Sequence, residues 1–287
     1  MTSVTVAACH AGSDEDRDID AIELRTDAPS TFDRNGFLEA VAEHHVRFVA
    51  QLRALTPQEW AAPSRNADWN VQDTVRHLCD TSVLVRDHLA ARTDPFPPGF
   101  DPRTTPREWL EGSAGERPGE TLARLESVTE DVVKMSREFV AEGLEFEMHE
   151  LYGPVDWSVF LLHWFWDRWV HERDVLAPFG RPGVTGGDGS FLATGYALFV
   201  AGAVARGLGL QTEVSLALSG TGGGRFTLQV GDAAVLSATP GSQDGPEAAA
   251  VGDALSGRGA SLTDLVPLTD EQASALGALG VFFTTPV

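Results

Sequence analysis

Hydrophobic side chains recur at helical spacing along much of this chain. Phe37, Val41, Phe48 and Leu52 lie at intervals that place them on one face of a helix. Similar stripes appear three more times, so the pattern predicts four helices of roughly 20 residues with no strand between them, an order typical of a helix bundle. The predicted helices run from residue 31 or 33 to 55, from 70 to about 92, from 118 to about 141 and from 156 to 178.

The pattern changes at Gly180, where small residues and then short strand-like runs replace the helical stripes. The expected elements are a helix near 188–207, strands at 212–218, 225–230 and 233–238, and helical segments near 246–256 and 269–280. The sequence therefore predicts an α+β protein, with a four-helix bundle at residues 31–180 and a small α+β C-terminal domain at residues 181–287. Residues 1–30 contain an acidic run, and their low hydrophobicity favours a solvated, mobile tail.

Charge and cysteine usage narrow the choice of partners and compartment. The net charge of −21 argues against nucleic acid or an anionic membrane surface as a partner, because both bind through clustered Lys and Arg. There is no run of 18 apolar residues that would predict a membrane span, and the first residues lack the pattern of a signal peptide. Cys9 and Cys79 are not expected to form a disulfide. We therefore expect a cytoplasmic enzyme, either a monomer or a homodimer.

Two separated motifs carry the candidate chemistry. Asp167 and His171 stand four residues apart in the fourth predicted helix, so their side chains lie one above the other on the same face. His77, in the second predicted helix, could complete a three-ligand set. Bundle cores commonly host metals on facing helices, and three protein ligands with an open position suit a catalytic divalent metal.

The same residues allow other interpretations. A carboxylate and a histidine at this spacing often form a solvated pair. Asp167 and His171 are surrounded by aromatic residues in the sequence, however, and a charge that faces inward among such residues must be paired or coordinated. His163 competes as a ligand, but it lies about 12 Å from His171 along the helix axis, too far to share one metal. Asp174 could accept the second ring N–H of His171 and so select its tautomer, or it could be a surface charge near a helix end.

The residues around these candidates resemble the mycothiol-dependent maleylpyruvate isomerase-like family, within the wider DinB-like superfamily. The family pattern Trp-[Ser/Thr/Asn]-Val-x-Asp-x-x-x-His, which opens the second helix, matches Trp69 to His77. The pattern Glu-x-Trp-Val-His-x-x-Asp of the fourth helix matches Asp167 to Asp174, with Asp167 where the family usually has Glu. The resemblance covers roughly residues 33–280.

This resemblance implies a DinB-like bundle that holds a divalent metal, usually zinc, on His77, Asp167 and His171. It also implies that mycothiol, a low-molecular-weight thiol, binds as a thiolate and adds to an electrophilic carbon of a small substrate. Arg225 and Arg258 of the C-terminal domain are candidates for clamping a substrate carboxylate, although ordinary surface positions are favoured for both. The shorter Asp167 side chain draws its carboxylate back by about 1.5 Å relative to Glu.

Three functions are consistent with this sequence. The first is a metal-dependent and mycothiol-dependent isomerase or S-transferase that acts on a small electrophilic metabolite. The second uses the same scaffold without the thiol, for a hydrolysis or cyclisation in specialised metabolism. The third is a non-catalytic small-ligand-binding protein whose metal site has decayed, and the Asp167 departure is the argument for it.

Overall fold

The computed structural model describes residues 20–93, 96, 100–102 and 104–282, and it confirms the predicted α+β fold class. Four long helices form the N-terminal bundle, close to their predicted bounds. They are α1 (Arg34–Arg53), α3 (Val71–Ala91), α5 (Pro118–Glu142) and α6 (Trp157–Leu176). Two short helices, α2 (Pro57–Trp60) and α4 (Thr105–Gly112), lie between them in the chain.

Side-chain caps set where the two central bundle helices begin. At the start of α3, the Asn70 side chain accepts the backbone N–H of Asp73 at 2.8 Å, and the Asp73 side chain accepts the backbone N–H of Asn70 at 3.2 Å. At the start of α6, the Asp156 side chain accepts the backbone N–H of Ser158 at 2.8 Å. Because these caps are local, they fix the first turns of the two helices that carry the candidate metal ligands.

A short hairpin stands between two bundle helices, so the prediction of four helices without intervening strands is wrong at this point. Strand β2 (Glu147–Glu150) pairs antiparallel with β3 (Gly153–Asp156) immediately before α6. Met148 and Val155 are cross-strand partners, and both are buried. Strands of four residues are too short for an alternating pattern to stand out in the sequence.

The C-terminal half places a long apolar helix between the bundle and a sheet. Helix α7 (Gly187–Gly207) contacts α1 and α6 on the bundle side and the sheet on the other. The sheet is antiparallel with strand order β1-β6-β5-β4. Its three C-terminal strands are β4 (Thr212–Leu218), β5 (Gly224–Val230) and β6 (Ala234–Pro240). Helices α8 (Ala248–Leu255), α9 (Leu262–Leu265) and α10 (Asp270–Gly277) follow.

Within the described residues, α7 is the one helix long and apolar enough to cross a membrane by length and composition. Most of α7 is buried inside the protein, which is the environment that its apolar composition fits.

The fourth strand of the sheet comes from the region predicted as a mobile tail, and this corrects the expectation for the described part of that region, residues 20–30. Strand β1 (Ile22–Arg25) pairs antiparallel with β6, with Ile22 opposite Ala238. Ile22 and Leu24 are almost completely buried, whereas the charged residues between and after them point the other way. The alternation of apolar and charged residues over Ile22–Arg25 was not recognised in the sequence, because it is short and follows an acidic region. The acidic run at residues 13–18 lies outside the described residues.

The described residues form two clusters of core residues, and the larger one runs through the bundle and the C-terminal half. Trp169 of α6 belongs to it, and the backbone of α8 packs directly on this ring. A Cβ added at Gly252 would lie 2.5 Å from Cη2 of Trp169, closer than side chains normally approach. The glycine therefore allows α8 to dock on the helix that carries the candidate ligands.

We expect Gly252→Ala to lower the free energy of unfolding by about 1–3 kcal/mol, because Trp169 and α8 cannot both keep their positions. The matched control is Gly119→Ala in the first turn of α5, where a Cβ would meet nothing within 4 Å. Alanine is the better helix former by about 1 kcal/mol, so this control should be neutral or stabilising. Urea denaturation would compare the two variants, and equal unfolding midpoints would contradict a tight contact at Gly252.

Candidate metal centre and its cavity

Helices α3 and α6 bring His77, Asp167 and His171 together, as the metal interpretation of the sequence requires. Nε2 of His171 lies 3.3 Å from Oδ1 of Asp167, and Nε2 of His77 lies 3.5 Å from the same atom. One possible ligand atom from each of the three residues lies within 4.8 Å of the others. Two imidazoles and one carboxylate form a donor set that suits a catalytic divalent metal with an open position. The residues present therefore fit a metal of this kind.

Asp174 orients the imidazole of His171. Oδ2 of Asp174 lies 3.0 Å from Nδ1 of His171, which leaves Nε2 directed at Asp167. The Asp174 side chain is fully buried, so it is not a surface charge. It also accepts hydrogen bonds from Arg258 at 2.8 Å and from Arg65 at 3.1 Å. This arrangement is the carboxylate–histidine pairing that holds metal-binding imidazoles in one tautomer.

Trp69 covers both imidazoles. Its ring centroid lies 4.9 Å from that of His77 and 5.8 Å from that of His171. In the sequence, Trp69 was identified only as the first residue of the pattern that opens the second helix. In the structure, this indole restricts the motion of the two rings and their exposure to water.

The Asp167 carboxylate and the His171 imidazole each shift the pKa of the other. Burial would raise the pKa of Asp167, but the imidazoles of His77 and His171 hold it well below its usual range. Burial would lower the pKa of His171, but Asp167 and Asp174 outweigh it and raise the pKa to about 9. Without a bound cation, the His171 ring is therefore protonated on both nitrogens and positively charged at neutral pH. A bound divalent metal would replace that proton, because metal ligands must be deprotonated.

The centre opens into a cavity of about 470 Å³ that lies between the bundle and the segment after α8. The Asp167 side chain is 22 % exposed, whereas those of His77 and His171 are nearly buried. Arg258 lines this cavity and is engaged with Asp174. Arg225 is exposed on β5 and does not line the cavity, so the structure separates the two arginines that the sequence proposed together.

His163 lines the same cavity but stands apart from the three candidate ligands. Its Nδ1 lies 2.9 Å from Oε2 of Glu150 in the hairpin, and the Glu150 side chain is fully buried. Burial would lower the pKa of His163, but Glu150 outweighs it and raises the pKa. The sequence did not identify Glu150, because a four-residue strand gave no signal that this carboxylate turns inward.

The sequence also missed a set of ion pairs that joins the loop before α3, α6 and α8. The guanidinium of Arg65 donates two hydrogen bonds of 3.0 Å to Asp253, and Arg173 donates to the same carboxylate at 2.9 and 2.6 Å. Arg65 and Asp253 are 188 residues apart in the chain. No local pattern connects residues at that separation, so only the folded structure could reveal the pair.

Fold and site together define a four-helix bundle with a candidate metal centre at the floor of a cavity. Residues 41–176 match the family model described as the mycothiol maleylpyruvate isomerase N-terminal domain. The finding confirms the resemblance seen in the sequence.

Two crystal structures share the fold, each with a TM-score of 0.55 over 79 % of this chain and 90 % of theirs. One is the mycothiol-dependent maleylpyruvate isomerase, which is 15 % identical, and the other is a histidine-to-alanine variant of such an isomerase, which is 14 % identical. At this identity the likeness establishes the fold. No curated protein sequence matches this chain. The matched family model and the fold are those of mycothiol-dependent maleylpyruvate isomerases, and this supports an enzyme of the thiol-dependent isomerase class.

We expect Asp253→Asn to destabilise the protein by about 1–3 kcal/mol at neutral pH, because Arg65 and Arg173 lose their shared partner. Burial would raise the pKa of Asp253, but the two arginines outweigh it and hold the pKa below its usual value. A depressed carboxyl pKa stabilises the fold above the unfolded-state value of about 3.9, and this contribution is lost as the pH falls through the folded-state value. The difference in Tm between variant and wild type should therefore be largest at neutral pH and shrink below about pH 4.

Thermal unfolding between pH 7 and pH 3 would measure this difference. The control is Asp244→Asn, an exposed carboxyl for which the described residues show no ion pair. A Tm difference for Asp253→Asn that is small at pH 7, or that grows on acidification, would contradict the role of the ion pairs.

Proposed function

We propose that this chain is a metal-dependent and mycothiol-dependent isomerase or S-transferase that acts on a small electrophilic metabolite. The convergence of His77, Asp167 and His171 at an open cavity, within a bundle of the mycothiol maleylpyruvate isomerase family, is the observation that carries the proposal. We propose zinc as the metal, because its usual ligands include imidazole nitrogen and carboxylate oxygen. When bound, the metal would lower the pKa of a thiol sulfur, and addition of a thiolate to an unsaturated carbon is the chemistry of both reactions.

The residues of the chain have separable roles in this proposal. Asp174 keeps Nε2 of His171 free to act as a ligand, and Trp69 shields the two imidazoles from water. The cavity volume of about 470 Å³ lies within the range of small-molecule sites. Because the three ligands are accessible from the cavity side, thiol and acceptor would both approach from there.

The Asp167 departure does not by itself indicate a decayed site. Despite the shorter side chain, the Asp167 carboxylate lies within 3.5 Å of the Nε2 atoms of both His77 and His171. Its low pKa keeps it ionised at neutral pH, which is the form that binds metals. These two observations favour a functional centre over the non-catalytic alternative.

We expect the purified protein to contain about one divalent metal per chain, and His77→Ala to lose it because only two ligands remain. The matched control is His149→Ala, which removes an exposed histidine on β2 and should leave the metal in place. Elemental analysis of the three proteins, before and after zinc is added, would provide the test. Equal metal content in wild type and His77→Ala, or no metal in wild type after zinc is added, would contradict the proposed ligand set.

We expect mycothiol to raise the Tm of the zinc-loaded protein by several degrees at about 100 times its Kd, because a ligand of the folded state stabilises it by about 2.7 kcal/mol at that concentration. The shift should disappear in His171→Ala, which retains the cavity but loses a metal ligand. Differential scanning calorimetry would measure both. A zinc-loaded wild type that does not respond to mycothiol would favour the thiol-independent alternative, a hydrolysis or cyclisation at the same metal.

A cytoplasmic location, and a monomeric or homodimeric state, stay predictions.

A further inference from the structure

Besides Trp69, three aromatic residues line the cavity without belonging to the hydrophobic core. The ring centroids of Phe96 and Phe100 are 4.7 Å apart, and those of Phe100 and Trp109 are 5.8 Å apart. All three residues are half-buried, and none takes part in either cluster of core residues. Large aromatic side chains that are not needed for the core, and that face a concave site, are typical of ligand recognition.

Further apolar side chains extend this surface from the bundle. Phe160, Trp164 and Trp166 of α6 line the cavity, as do Leu84 and Val85 of α3. The three α6 residues are almost fully buried, so they form a fixed wall. Apolar surface from α3, from α6 and from Phe96, Phe100 and Trp109 thus surrounds the space next to the candidate metal centre. A ligand gains binding free energy from this surface only if it fills the space with apolar atoms.

The positive charges at the cavity differ in whether they are available to a ligand. Of the three lining arginines, Arg65 and Arg258 both donate to Asp174, and Arg65 also pairs with Asp253. Arg107, on α4 two residues before Trp109, takes part in no ion pair among the described residues. Among the lining arginines that the structure describes, Arg107 is therefore the one without an ion pair, whereas Arg65 or Arg258 would have to give up an existing pair to bind a second carboxylate.

On the basis of the proposed function, we propose that the acceptor is a flat aromatic or conjugated electrophile with a single carboxylate. Its ring packs against Phe100 and Trp109, and its carboxylate pairs with Arg107. A short dicarboxylate without a ring has no group that fills the aromatic surface, and its second carboxylate finds no further unpaired arginine among the described lining residues.

Isothermal titration calorimetry of the zinc-loaded full chain would compare two probes without any turnover. Cinnamate carries a conjugated ring and one carboxylate, and maleate carries two carboxylates and no ring. We expect cinnamate to bind more tightly than maleate by about tenfold or more, the order expected when a ring is buried against aromatic side chains.

Different variants test the contact of the ligand ring and the contact of the ligand carboxylate. Trp109→Ala and Phe100→Ala should each weaken cinnamate binding by roughly tenfold and leave maleate unchanged, because they remove aromatic surface only. Arg107→Gln should weaken cinnamate but not the neutral analogue cinnamyl alcohol. The matched control is Phe179→Ala, a half-buried aromatic residue that does not line the cavity, and it should bind cinnamate like the wild type.

Maleate binding as tight as cinnamate binding, no detectable cinnamate binding, or unchanged cinnamate binding in Trp109→Ala would each overturn the inference. Its failure is distinguishable from failure of the proposed function. If metal and mycothiol bind but maleate is preferred, only the acceptor class is wrong. If cinnamate binds as expected while metal content or the mycothiol response fails, the acceptor site stands and the thiol chemistry does not.

Discussion

The buried carboxylate of Asp174 is the interaction on which the candidate centre depends. It accepts hydrogen bonds from His171, Arg65 and Arg258, three residues that come from α6, the loop before α3 and the segment after α8. A buried carboxylate is costly unless its partners are all in place, so the three segments must fold together for any one of them to be stable there. The orientation of His171 is therefore a property of the whole fold and not of α6 alone.

Helix α6 is surrounded by protein on nearly every side, and it carries charge as well as aromatic surface. The Glu172 side chain is fully buried, and its Oε2 lies 2.7 Å from Nε2 of His44. Arg168 is also fully buried, and its guanidinium donates to Ser82 and lies 3.4 Å from Nδ1 of His45. Burial lowers the pKa of Arg168 to about 10, against the attraction of nearby anions. Because buried charges are retained only where packing and partners offset their desolvation, these pairs constrain the rotation and register of α6 within the bundle.

The bundle was predictable because its signals are local. Apolar stripes marked the four long helices, and the caps that Asn70, Asp73 and Asp156 form at the starts of α3 and α6 are also local. The strand β1 and the hairpin between α5 and α6 were not predicted, since runs of four residues acquire their meaning only from the partner strand. The same limit applied to the surroundings of the site. Arg65 acts through Asp174, 109 residues away in the chain, and Glu150 of the short hairpin acts through His163 of α6.

The sequence by itself determined the class of fold, the order of the long helices and the identity of the three candidate ligands, because an i, i+4 pair and a capped helix start are features of single segments. Only the tertiary structure decided that Asp174 is buried against His171, that Arg258 lies at the cavity while Arg225 does not, and that Trp69 covers both imidazoles. Those outcomes depend on how helices, loop and sheet pack against one another. Packing of this kind arises from contacts between segments that the linear order of residues does not reveal.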